Sequence, residues 1–200
     1  MRDLRVDVVT ASTAEPLDLE DVKHHLRIEI GETAHDDYLN SLIEVARGQV
    51  EDMTGRRLIR QTVKYYIDAW PSNNDTIELP YPPFSTETAP IVTYVDIDSS
   101  TITMGTTVYR CDSVSEPGRI VLEYNESWPT ESLHNVNPIA VQYLCGYGGS
   151  SEVPERLKHA IKLVISDLYE QRETFIVGQT VSHIPNAVKA LTLPYKIWKT

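Results

Sequence analysis

Both ends of this chain repeat apolar residues at helical spacing, whereas residues 58–150 break into short β-branched and aromatic runs punctuated by Gly, Pro, Asn, Asp and Ser. The pattern predicts an α+β fold: a helical core drawn from the two ends, two helices from the first and one long helix from the last, with an antiparallel β region inserted between them. The expected division is 1–57 for an N-terminal arm and the first part of the helical core, 58–150 for the β insertion, and 151–200 for the rest of the core and a tail. Neither helical end carries an obvious catalytic group, which points towards a part held by its neighbours.

Residues 1–16 are polar and end at Pro16, the pattern of an extended or loosely attached arm. Asp18 is placed to cap the first helix through the backbone N–H of Asp21, with Leu19, Val22 and Leu26 on the apolar face. Asp36 and Asp37 put negative charge at the positive end of the second helix. Its stripe is Leu39, Leu42, Ile43, Ala46, Val50 and Met53, and Gly55 ends it in a left-handed cap. Alternation of Val63, Tyr65 and Ile67 with polar neighbours predicts a strand, closed by the turn cluster at 71–75. "TIELPYPPF" reads as a short edge strand running into prolines, and five further short runs suggest a meander or small barrel-like sheet. Pro154 opens the long helix, with the stripe Leu157, Ala160, Ile161, Val164, Ile165 and Leu168, and "IPNAVKALTLPYKIW" reads as a short helix broken before Pro194.

Asp and Glu number 29 against 18 Lys and Arg, a net charge of −11, which is the wrong sign for a protein held on DNA by neutralising phosphates. Cys111 and Cys145 fall in strand-like runs and read as reduced core thiols. No apolar h-region and no eighteen-residue apolar run is present, so a soluble chain without a standard export signal is expected. The sequons at Asn74 and Asn125 are then chance matches.

His24 and His25 are neighbours, and on a helix they diverge by about 100°, so they do not ligate one metal from one face. The carboxylate pairs Asp36 with Asp37 and Glu170 with Glu173 suit a helix start and a solvated helix end better than acid–base chemistry. "CGYGGSS" lacks the Walker lysine and the dinucleotide spacing, and is better explained as a tight strand-to-helix connection. No catalytic, metal-binding or cofactor-binding residue is therefore expected. The densest basic cluster, Arg56, Arg57, Arg60 and Lys64, suits an acidic face of a neighbouring subunit better than DNA on so acidic a chain. Eleven tyrosines against two phenylalanines also suit protein interfaces.

Five motifs in order resemble the head-to-tail connector, or adaptor, proteins of long-tailed bacteriophages and prophages. They are "LDLEDVKHHLRI" with "DDYLNSLIEVARGQVEDMTGRRLIRQT", "LPYPPF" before "IVTYVD", "VQYLCGYG", "VPERLKHAIKLVISDLYEQRE", and "IPNAVKALTLPYKIW". The resemblance implies a helical connector core from residues 19–54 and 154–173, with the strands as an insertion or side domain. It implies a structural virion protein at the neck, assembled in the host cytoplasm as a homo-oligomeric ring of about twelve copies under the portal protein and continuing towards a tail or stopper protein; closed rings use repeated head-to-tail contacts. DNA would pass through without specific binding. The segments "FSTETAP" and "TFIVGQTVSH" depart from the family pattern. Candidate subunit or portal contacts are Arg56, Arg57, Arg60, Glu170, Arg172, Glu173, Lys189, Tyr195 and Trp198, and segment 174–200 is expected to dock on the portal. The competing readings are a glycan-acting hydrolase, which needs two carboxylates across a cleft, and a sugar-binding β module, which needs a concave pocket lined by Trp70, Trp128 or tyrosines.

Overall fold

A computed structural model describes residues 5–72, 76–170 and 186–198. Among them, the residues within 13–59 and 148–200 form one compact unit, and those within 1–12 and 60–147 form another.

The first unit is helical. Helix α1 (Leu19–Leu26) begins where Asp18 accepts the Asp21 N–H at 2.7 Å, and it ends at Arg27 in a left-handed conformation. Helix α2 (Asp36–Thr54) ends at Gly55, whose φ of 72° is the left-handed cap that glycine adopts without steric cost. Helix α3 (Glu155–Glu170) follows a 3-10 turn at Ser150–Glu152, and the Pro154 carbonyl accepts the N–H groups of Leu157 and Lys158. Helix α4 (Asn186–Thr192) runs into a second 3-10 turn, Leu193–Tyr195, that holds Pro194. The α2 and α3 stripes bury Leu39, Ile43, Ala46 and Val50 against a set that includes Leu157, Ala160, Ile161 and Ile165. Met53 and Leu168, assigned to those stripes from the sequence, are only half-buried. Val188 of α4 is fully buried and joins this helical packing.

The second unit contains two antiparallel sheets. Strands β1 (Val6–Thr10), β2 (Gln61–Ile67), β4 (Ile91–Val95), β5 (Thr101–Thr103) and β8 (Ile139–Cys145) form one sheet in the order β1-β2-β8-β4-β5. Strands β3 (Ile77–Glu78), β6 (Tyr109–Asp112) and β7 (Arg119–Leu122) form the other in the order β3-β7-β6. Both contribute to one apolar cluster, with Val63, Val92 and Val141 from the first and Ile77, Tyr109 and Ile120 from the second.

Two expectations change here. Residues 6–10, read as an extended or loose arm, are a strand paired along β2, with Val6 opposite Tyr65 and Val8 opposite Val63. Arg5 secures its start through Asp68 at 2.5 Å and Asn137 at 2.6 Å. The β region is not a single meander or barrel: β8, last in sequence, lies between β2 and β4. Its run Ile139-Ala140-Val141 is buried on both faces, which suits a central strand, and all seven β2 residues pair with it.

Candidate assembly surfaces

The end of α2 and the last described residues of the chain form a linked set within the helical unit. Arg56 is buried, and its Nε donates to the Tyr195 carbonyl at 2.6 Å. Two residues along, the Ile197 N–H donates to the Thr54 carbonyl at 2.9 Å. Beside them Glu51, 5% exposed, accepts the Leu58 N–H at 2.8 Å and lies 3.4 Å from Arg57 and 3.6 Å from Arg47. Arg47 in turn holds Glu15 at 2.7 Å. Burial pushes the Glu51 carboxyl above its ordinary range, and the Leu58 N–H and the two guanidinium groups only partly offset this. The arrangement fastens the chain after α4 to the C-terminus of α2 and leaves an outward face on which Leu193 is 55% and Trp198 67% exposed. The Lys196 ammonium lies 4.8 Å from the centre of the Trp198 ring.

The sequence-derived contact residues fall into distinct settings. Arg56 and Arg57 are engaged inside the helical unit, whereas Arg60 belongs to the β unit and pairs with Glu87 at 2.6 Å. Much of the charge of that basic cluster is therefore neutralised within the chain. Glu170 is exposed at the described end of α3, Lys189 is exposed on α4, and Tyr195 is half-buried in the turn after it. Arg172 and Glu173 lie outside the described residues, as does most of the segment 174–200 expected to dock. The sequence reading missed Glu51, and it missed Lys23 on α1, which is 3% exposed and ion-paired with Asp36 at 2.5 Å. Lys23 stands four residues after Leu19 and three before Leu26, and that position on the apolar stripe is the signal that could have found it.

At the contact of α1 with α3, His25 and His159 approach edge to face with ring centres 6.2 Å apart, while Lys162 reaches Asp21 at 3.2 Å. Burial, then the charges of His159 and Lys162, hold the His25 pKa below its ordinary 6.5. The unfolded chain thus takes up this proton first as pH falls, so stability present above pH 6.5 is lost below it. His25→Gln should flatten the acid side of a melting-temperature profile measured between about pH 5 and 7, where an unperturbed histidine changes charge. An unchanged slope would remove His25 as its source.

The β unit has a shallow cleft of about 350 Å³ beside β5, lined by Tyr94, Ile102, Met104, Val108 and Trp128 with Glu126 and Glu131. Trp128 stacks on Trp70 at 5.0 Å, and Trp70 itself does not line the cleft. Cys111 and Cys145 are free thiols, half-buried and buried. Among the described residues no group of His, Cys, Asp and Glu is arranged to hold a metal ion, and no helix is long and apolar enough to cross a membrane.

Residues 16–82 match the family model described as "Phage gp6-like head-tail connector protein". The match spans α1, α2 and β2 and reaches the proline run after β3. No curated protein sequence matches the chain. Among solved structures, the fold is similar to a chain in "Neck of empty GTA particle computed with C6 symmetry", with a TM-score of 0.78 and 22% identity, covering 98% of this chain and 96% of that one. A chain in "Virion of native gene transfer agent (GTA) particle" gives 0.77 and 21%, covering 98% and 97%. One in "Neck of native GTA particle computed with C12 symmetry" gives 0.71 and 22%, covering 98% and 96%. These likenesses extend the shared fold across both units. Neither comparison supports a glycan-acting hydrolase or a sugar-binding module.

Proposed function

We propose that the chain is a structural, non-enzymatic connector at the neck of a phage-like particle, joining the DNA-filled head to the tail as a ring of identical copies. The family match over residues 16–82 carries this reading. The fold shared over nearly the full length with chains of particle necks and virions supports it. In this reading the two N-terminal helices and α3 are the ring-forming core, and the ring, of about twelve copies if it follows the C12 symmetry of the similar neck, sits under the portal protein and above a tail or stopper protein. It is built in the host cytoplasm and resides in the virion neck.

The charge suits a conduit. A wall drawn from a chain of net charge −11 repels the phosphates of passing DNA, whereas a basic wall would hold them. The exposed Trp198 and Leu193, with Lys189 and Glu170, offer the apolar and charged mixture of a contact face for the portal or an adjacent copy, and Tyr195 sits in the turn that presents them. Arg172 and Glu173 are assigned to the same contact role. Arg56 and Arg57 contribute by fixing the backbone behind that face, and Arg60 is assigned to a subunit contact. Electron microscopy of the purified chain, alone and mixed with the portal protein, tests the proposal. Rings on the portal are the expected result, and persistent monomers with portal present would overturn it.

A further inference from the structure

The five-stranded sheet ends in β1 on one side and β5 on the other, and these two edges complement each other. Opposed residues in an antiparallel pair share a face, so the registers trace one apolar row across the sheet. It runs from Val8 through Val63 to Tyr143 and, one step along, from Val6 through Tyr65, Val141 and Val92, with Tyr94 and Ile102 beside it. The row does not stop at the rims. Val8 is 51% exposed at the β1 edge, and Ile102 lines the open cleft at the β5 edge.

Strand direction agrees with this. Four successive antiparallel pairings separate β1 from β5, so both edges run the same way. A second copy continuing the sheet therefore places its β1 parallel to β5, with its apolar row on the same face. Each addition leaves a new free β5 edge, the head-to-tail repeat that a ring requires, whereas β1 against β1 would be antiparallel and stop at a dimer. In the parallel arrangement the start of β1 lies beside the start of β5. Edge strands are commonly guarded by lysine, proline or a bulge. Here the bulge lies between Val8 and Thr10, and Val6–Val8 keep a regular register.

We propose that β1 of one copy adds in parallel to β5 of the next, with Val8 against Ile102 at the mouth of the cleft. The inference rests on the ring reading for the existence of a second copy. Its test is disulfide trapping in the full-length chain carrying Cys111→Ser, with Val8→Cys and Ile102→Cys together and each alone, oxidised at the highest soluble concentration and run on non-reducing gels. The double variant should give a ladder of dimers, trimers and larger species, and the single variants should give none. Dimers from Val8→Cys alone would replace the proposal with β1–β1 pairing, and no ladder from the double variant would overturn it. As a second check, Val8→Asp should lower the oligomer fraction in sedimentation, and an unchanged fraction would also count against the proposal. Rings on the portal without a ladder would remove this interface and leave the connector reading standing. A ladder with no rings on the portal would do the reverse.

Discussion

Glu51→Ala is expected to destabilise the helical unit by about 3 kcal/mol, because it removes a buried carboxylate that faces two guanidinium groups and the acceptor of a buried N–H together. Glu51 accepts from Leu58 and faces Arg57 and Arg47, whose side chains are each 19% exposed. The corresponding fall in Tm is roughly 10 °C for a chain of this size, followed by circular dichroism at a helix wavelength. Glu51→Gln should behave differently. Burial raises the Glu51 pKa, so the folded state keeps a proton that the unfolded state has already lost. The contribution of this group therefore declines as pH rises from the ordinary carboxylate range through the raised value. Glutamine keeps an oxygen for the Leu58 N–H and has no ionisation to oppose, so it should cost about 1 kcal/mol, within the range of one net hydrogen bond. Equal losses for alanine and glutamine would mean that the charge, and not the hydrogen bond to Leu58, dominates.

That network also marks the limit of what periodicity reveals. The stripes of α2 and α3 were legible because burial of one helix face is written within a few turns, and the Asp18 cap because donor and acceptor are three residues apart. The assignment of Arg56 was not legible. Its acceptor is the Tyr195 carbonyl, 139 residues away, and no local pattern distinguishes a guanidinium that turns inward from one that meets a neighbour. The same reason hid the place of β8 and the pairing of β1. Strand order depends on long-range registers, and β1 was concealed by its polar flanks although Val6 and Val8 alternate correctly. The candidate contact residues are proposed from residue types alone, mostly at the chain's helical ends. The solvent exposure of Lys189 and Trp198 depends on how α4 is tied down, which only the assembled unit specifies.

Lys23→Ala should rival Glu51→Ala in effect, with a loss of about 3 kcal/mol concentrated at the connection between α1 and α2, since it leaves a carboxylate without its counter-ion and two carbonyls without their donor. The ammonium donates to the Glu32 carbonyl at 2.6 Å and the Ile30 carbonyl at 3.2 Å, and lies 2.5 Å from the Asp36 carboxylate as an ion pair. The side chain thus closes the loop 27–35 from within and fixes the first turn of α2, to which Asp36 also brings favourable negative charge. Lys23→Met retains the apolar stem but strands Asp36, so it should remain substantially destabilised. Adding Asp36→Asn should recover part of the loss by removing the unpaired charge, which a packing defect alone would not do. Hydrogen exchange supplies the local readout: in Lys23→Ala the amides from Ile28 to Leu39 should lose protection before those in the middle of α3. Uniform loss across both helices would instead place Lys23 in the global core of the unit and reject its role as the closure of this loop.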